Sequence, residues 1–418
     1  MRIAVIGGGI SGMMAWYLLD KQHDITVFEA GDYLGGHTAT VDVDVNGHSY
    51  AIDTGFIVFN DWTYPLFNKF LARLGVSQQH TTMSFSVKNE AENLEYNGNT
   101  LTSLFSQRRN LFRPSFWRML KDVVRFNKLG KKLLAQDSPE LDMTLGGFLQ
   151  QHRFGDEISR NYLMPMGAAI WSAGLADMPA FPLRFFLRFF HNHGLLNISN
   201  RPQWSVISGG SRSYVQALTR QLGTEKVRLN QQITTVKRSE TGVSLQFADG
   251  SSEQFDKVIL ACHSDQALKL LGADATTDEA AVLGNIAYQQ NDVVLHTDTR
   301  LLPKRQRAWA AWNYNLAAEQ HSRATLTYNM NLLQGIDSDT TFCVTLNNTA
   351  AIDSSKILRQ FQYSHPVYNE KTLLAQQQRG LINGQNHTYF CGAYWYNGFH
   401  EDGVKSAVDV ANMFGVEF

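Results

Sequence analysis

The sequence predicts an α/β protein, α+β over the whole chain. It has a discontinuous nucleotide-binding part and an inserted second part of mixed sheet and helices, and three stretches predict this. Residues 1–30 read strand, glycine turn, helix: the apolar run Ile3-Ala4-Val5-Ile6, then Gly7-Gly8-Gly9-Ile10-Ser11-Gly12, then Met13 to Leu19. A second short strand, Gly-Gly and helix begin at Trp204. A third strand, His387 to Gly392, precedes a final helix expected from Val404 to Met413.

The first stretch has the order a dinucleotide site needs. Gly7 permits the tight turn, Gly9 lets backbone N–H groups approach a pyrophosphate, and Gly12 allows close packing of helix on sheet. The helix starts at Ile10 and Ser11, so its unpaired N–H groups and partial positive charge face the phosphates. A second strand, Asp24 to Phe28, ends at Glu29-Ala30, where the Glu29 carboxylate is spaced to meet a ribose hydroxyl. An acid there disfavours a 2'-phosphate, which argues against NADP. Hydropathy alone would also allow Ile3 to Leu19 to be a signal peptide or membrane span. The single Arg2, the glycines and the absence of a small-residue cleavage pattern argue against both.

Composition sets the outer bounds. With 418 residues, 44% of them hydrophobic and 18% charged, the chain can bury a sizeable core, and two domains are expected. A net charge of -1 gives no reason to expect nucleic acid as a partner. Cys262, Cys343 and Cys391 form no CxxC pair, so neither a disulfide framework nor a metal site is expected, and a cytoplasmic location fits. No apolar run after residue 20 is long enough to span a bilayer.

After Glu29 come Gly35-Gly36-His37, a hairpin from Thr38 to Tyr50 turning at Asn46-Gly47, and Ile52-Asp53-Thr54-Gly55-Phe56. The order GxGxxG, Glu, Gly-Gly, Asp-x-Gly resembles the start of the flavin-dependent amine oxidase superfamily, which also holds phytoene desaturases and protoporphyrinogen oxidases. The resemblance implies a Rossmann-like FAD-binding domain with non-covalent FAD. It puts Gly35 and Gly36 along the pyrophosphate and Thr54, Gly55 and Phe56 against the cofactor. His37 stands where the family commonly has an arginine.

Asn60 to Gly75 reads as a helix with Trp62, Leu66, Phe67, Phe70, Leu71 and Leu74 on one stripe. From Val76 to Gln203 the character changes. Between Ser106 and Leu134 nine basic residues, from Arg108 to Lys132, are set against the single acid Asp122 and interleaved with Phe112, Phe116, Trp117 and Phe126. From Pro114 onward this predicts a basic amphipathic helix. Two readings are open for it: a solvated face, or peripheral docking on anionic lipid such as the inner membrane. The stretch Phe181 to Phe190 holds five phenylalanines, which fill a core or wall a tunnel for an apolar substrate. Met164 to Ser172 puts small residues beside Trp171, consistent with close approach of a helix to cofactor or substrate.

At Trp204 to Ser211 the chain returns to the first domain, followed by a helix from Tyr214 to Leu222, strands from Val227 to Val236 and Gly242 to Phe247, and a strand entering a helix at Ser264. The resemblance implies that backbone near Ile233 meets the adenine. Tyr288 to Thr297, Ala324 to Asn331 and Phe342 to Asn347 read as strands of a second sheet. Amine oxidases proper usually carry a flavin-facing lysine on the first of these; here the matching stretch is Gln289-Gln290-Asn291-Asp292. The expected domains are 1–75, 204–273 and 381–418 for FAD, and 76–203 and 274–380 for substrate.

The C-terminus carries the second strong signal, since Gly392 and the run Gly398-Phe399-His400-Glu401-Asp402-Gly403 resemble the element that closes the FAD site. Gly392, Glu401, Asp402 and Gly403 are thereby implied in cofactor binding. Ala393-Tyr394 stands where relatives often have an acid. Phe399 falls near a flavin-facing aromatic, and His400, Tyr394 and Phe399 are the catalytic candidates, with helix capping the alternative for His400 and Glu401. There is no second GxGxxG, so electrons are expected to leave for oxygen, a quinone or a protein. The ending, with Tyr328-Asn329-Met330-Asn331 and His365-Pro366, resembles a bacterial branch of amine-oxidase-like proteins associated with cyclopropane-fatty-acid-synthase-like enzymes. That resemblance implies desaturation or oxidation of a fatty acyl or other lipid chain; an amine oxidase and a redox-neutral isomerase are the alternatives.

Overall fold

The computed structural model describes residues 1–171, 173–316 and 325–418, so Ser172 and Ala324, the ends of two expected segments, lie outside the described residues. One half rests on a parallel sheet in the order Val227–Arg228, Asp24–Phe28, Arg2–Ile6, Lys257–Leu260 and Thr388–Phe390. The central strand buries Ile3, Ala4 and Val5 completely. That is why it reads as an unbroken apolar run rather than an alternating one. The helix Ile10–Leu19 is apolar all round for the same reason. It shares one core with the final helix through Val404, Ala407, Val410 and Ala411.

The second half is a seven-stranded sheet ordered Ile357–Pro366, Tyr288–His296, Cys343–Leu346, Leu326–Asn329, Trp312–Leu316, Phe85–Asn89 and Leu94–Asn97. It draws strands from both stretches of different character. Helices Pro114–Ala135, Leu145–Gln151, Met164–Trp171 and Leu183–Asn192 contribute to one core with it, in which Phe126, Phe148, Phe186 and Phe190 are fully buried. The phenylalanine-rich stretch therefore fills a core along one side of its helix.

Three expected boundaries are corrected. The helix expected from Asn60 begins at Pro65, because Phe59–Asn60 pairs with Trp204–Ser205 and the Asn60 side chain accepts the N–H groups of Trp62 and Thr63. Trp62 is 41% exposed and leaves the apolar stripe. The helix ends as expected at Gly75, whose φ of 67° is the left-handed cap that suits glycine. The strand expected over Val227–Val236 is broken in two. Val227–Arg228 joins the parallel sheet, Asn230 turns the chain at φ 54°, and Ile233–Ser239 starts a separate antiparallel sheet. The last helix starts at His400 instead of Val404, since Asp402 accepts the Phe399 N–H at 2.8 Å and caps it from its first turn.

The strand Trp204–Ile207 pairs with Phe59–Asn60 on one side and Gln78–Thr81 on the other. No helix among the described residues is long and apolar enough to cross a membrane.

Candidate cofactor site

Backbone geometry explains the glycines at the first turn. Gly7 has φ 109°, and a Cβ on Gly12 would lie 1.9 Å from the Gly7 carbonyl oxygen. Gly9 faces open space, with no heavy atom within 4 Å of where its Cβ would point. The helix behind it has no side-chain cap, so the first N–H groups, at Ile10, Ser11 and Gly12, keep no intrahelical partner.

The second glycine pair is fastened to the first. Gly35 donates its N–H to the Gly8 carbonyl at 2.9 Å, and Gly36, at φ 57°, lies so close that a Cβ would come 3.3 Å from Gly9 Cα. The Glu29 carboxylate joins the same group by accepting the N–H of Gly8 at 2.7 Å and of Gly31 at 2.8 Å. Each carboxylate oxygen has a further lone pair for another donor. Ala30 beside it is exposed. Ile233 is brought to this end of the sheet, since Asn230 and Gln231 donate to the carbonyls of Gly31 and Glu29.

Thr54, Gly55 and Phe56 close against His37. Phe56 donates its N–H to the His37 carbonyl at 2.7 Å, and a Cβ on Gly55 would lie 2.1 Å from that same oxygen. The residue before them, Asp53, escaped the sequence reading as a site residue although it begins the Asp-x-Gly motif. It is fully buried and accepts the Ser211 N–H and hydroxyl and the Thr40 hydroxyl, so it clamps the hairpin to the turn after the second Gly-Gly. Burial pushes its carboxyl up to about 6 against those donors.

At the C-terminal closure Gly403 packs on the first helix; a Cβ there would lie 2.7 Å from Ile10 Cγ2 and 3.0 Å from Ser11 Oγ. Glu401 caps a neighbouring helix rather than its own, accepting the N–H groups of Leu66 and Phe67 at 2.9 and 2.8 Å. Pro65 precedes them and brings no N–H. Burial pushes the carboxyls of Glu401 and Asp402 up to about 7. Gly392 donates its N–H to Ser406 Oγ at 2.9 Å.

The catalytic candidates part company here. The His400 ring is buried, stacked 3.7 Å from Phe56 and hydrogen-bonded through Nε2 to the Tyr214 hydroxyl, which meets Thr38 Oγ1 at 2.5 Å. Phe399 lies 5.0 Å from Phe189, between the last helix and the half built on the seven-stranded sheet. Tyr394 is buried beside Trp395, and its hydroxyl has no partner among the described residues.

The residues present fit FAD. The space over Gly9 and the uncapped helix suit a diphosphate. Among the described residues His37 Nε2, next to Gly36, is a buried polar atom with no protein partner, as expected where a polar cofactor completes the site.

Fold and cradle together define a flavin-dependent oxidoreductase. The chain belongs to the flavin containing amine oxidoreductase family, whose model matches residues 10–330, and its cofactor is FAD. Such an enzyme binds a small-molecule substrate and an electron acceptor. Among curated proteins it is 25% identical over 310 residues to coproporphyrinogen III oxidase of Bacillus subtilis (strain 168); the match covers 65% of this chain and 61% of that protein. Among solved structures it resembles a CLA-producing fatty acid isomerase from P. acnes, with a TM-score of 0.72, 18% identity and 99% of both chains covered. It also resembles cyclohexylamine oxidase from Brevibacterium oxydans IH-35A, with a TM-score of 0.70, 15% identity and 99% of both chains covered.

Proposed function

We propose that the chain oxidises a C–H bond of an apolar substrate, a fatty acyl or other lipid chain, and leaves a double bond or an equivalent oxidised carbon. The aromatic wall beside the closure element carries this reading. Phe399 stacks with Phe189 at 5.0 Å, Phe189 meets Trp171 at 5.0 Å, and Phe185 stacks with Tyr368 at 5.2 Å. Next to it a pocket of about 330 Å³, open to solvent, is lined by Trp62–Pro65, His193 and Phe399 together with the polar Asn192, Asn397, Glu401 and Asp402. Burial holds the His193 imidazole at about 4, so it is neutral under ordinary conditions. Such a wall excludes water and holds a hydrocarbon by shape.

When bound, FAD would supply a two-electron acceptor, with oxygen, a quinone or a protein as the class of external acceptor. The strand Tyr288–His296 has no lysine, which weighs against an amine substrate. A redox-neutral isomerisation of the same substrate class is the second reading, supported by the full-length likeness to a fatty acid isomerase. Incubation of the holoprotein with a lipid extract and oxygen separates these by mass spectrometry. A product lighter by two hydrogens is expected, an isomer of unchanged mass supports the second reading, and turnover of amines alone overturns both.

Such a substrate is best met at a lipid surface, and the segment 106–134 supports peripheral contact there. Phe112 is 87% exposed, Trp117 48% and Val124 52%, among the exposed Lys121, Lys128, Lys131 and Lys132. Exposed rings among lysines are the composition of an interfacial helix. The protein is expected to pellet with anionic vesicles at low salt. Phe112→Ser together with Lys121→Glu and Lys128→Glu is expected to cut the bound fraction roughly fivefold without loss of fold. Failure to pellet with anionic vesicles at any salt concentration contradicts the docking.

A further inference from the structure

Three imidazoles carried by three separate elements meet beside the glycine cradle. His37 follows Gly35-Gly36, His263 follows the strand Lys257–Leu260, and His365 stands near the end of the strand Ile357–Pro366. The His37 ring centroid is 6.0 Å from that of His263 and 5.5 Å from that of His365. Tyr288 stacks on His263 at 4.2 Å, and Tyr363 flanks His37 at 5.1 Å. His37 is held by the Ser364 backbone, and His365 Nδ1 meets the Asn291 amide at 3.1 Å. His37 Nε2 is buried with no partner among the described residues.

Packing alone does not favour this grouping, because protonating any one ring penalises the others. Burial lowers all three, and together with the neighbouring imidazoles it brings His263 to about 4 and His365 to about 3. A neutral group of this kind becomes cationic when an anion is brought against it. The place for an anion is next to it along the chain. Gly36 touches Gly9, above which the space is open, and the Ala261 carbonyl lies 2.8 Å from where a Gly7 Cβ would be, two residues before His263.

We infer that His37, His263 and His365 form one anion-neutralising group for the diphosphate of the bound dinucleotide, taking up protons from solvent as the cofactor binds. The charge is shared across both halves of the molecule. No covalent bond changes.

Other titratable groups lie around the cluster. Glu29 is on the glycine side, tied to Gly8 and Gly31. Cys262 and Asp265 lie on the turn carrying His263, with Tyr288 from the facing strand. Tyr363 approaches with Tyr33 and Asp53 behind it. His400 faces His37 from the last helix and is engaged by Tyr214. Glu401 and Asp402 titrate near neutrality on that same helix.

The sign follows from linkage. Proton uptake on binding makes affinity fall as pH rises through the range where the bound imidazoles lose their protons. Holoprotein diluted at pH 6 and at pH 8 is expected to release FAD, read as the rise in flavin fluorescence, with a dissociation constant about tenfold larger at pH 8. His263→Gln and His365→Gln are each expected to reduce that pH dependence, and the triple variant with His37→Gln to abolish it. Pulses of FAD added back to flavin-depleted wild-type protein in weak buffer near pH 7 are expected to raise the pH measurably. Release independent of pH, a slope unchanged in His263→Gln and His365→Gln, or rebinding without proton uptake would overturn the inference. A surviving slope would belong to Glu401 and Asp402. The test uses no substrate, so its failure leaves the proposed reaction untouched.

Discussion

Gly12→Ala is expected to give protein that purifies almost free of flavin. The added methyl would sit 1.9 Å from the Gly7 carbonyl oxygen and 3.1 Å from its carbon, and both are backbone atoms that no rotamer change can move. Helix propensity favours alanine over glycine by about 1 kcal/mol. Overpacking of this kind costs about 1–3 kcal/mol and shifts the backbone, so the clash outweighs the propensity gain. The shift falls on the loop that must match a diphosphate, and each 1.4 kcal/mol lost there is about tenfold in affinity. The ratio of visible flavin absorbance to protein absorbance checks it, with an expected fall of roughly tenfold or more. Gly9→Ala is the control. Its methyl meets no protein atom within 4 Å, so it leaves the fold intact and affects only what binds over Gly9. Full flavin content in Gly12→Ala contradicts the geometry.

Asp53→Ala is the second large effect. The substitution removes the acceptor for the Ser211 N–H and hydroxyl, for the Thr40 hydroxyl and for the Gln334 side-chain amide at 3.3 Å, all in a buried place. Each buried donor left without a partner costs about 1–3 kcal/mol, so a loss of roughly 3 kcal/mol or more is expected in urea unfolding. Asp53→Asn keeps one acceptor oxygen and is expected to fall between the two. Burial raises the carboxyl of Asp53 to about 6, above its unfolded value. Its contribution is therefore fully present below pH 4 and declines as pH rises through about 6. The gap between wild type and Asp53→Asn is thus expected to be narrower at pH 8 than at pH 5. Equal stability of Asp53→Ala and wild type would remove Asp53 as the clamp.

The sequence was most legible where backbone geometry leaves few choices. Gly7, Gly12, Gly36 and Gly55 are glycines because carbonyl groups, Cα atoms or positive φ angles stand where a side chain would go, and such constraints are readable from spacing alone. The long apolar strands and the helix at Pro114 were legible for the same local reason. Contacts between distant segments were not. Asp53 stood inside a recognised motif, yet its work depends on Ser211, 158 positions away. Glu401 looked like a cap for its own helix and caps the one at Pro65, because the two helix starts meet only in the folded chain. His263 and His365 carry no spacing signal at all; only the approach of three elements sets them beside His37. The start of the last helix was misplaced by four residues because its cap, Asp402, lies inside the helix rather than before it.

The most direct test of the proposed reaction is anaerobic titration of the holoprotein, following loss of visible flavin absorbance. Fatty acyl substrates are expected to bleach the flavin with loss of two hydrogens from the substrate, while simple amines leave it oxidised. Bleaching by amines, with none by any lipid, would contradict the account.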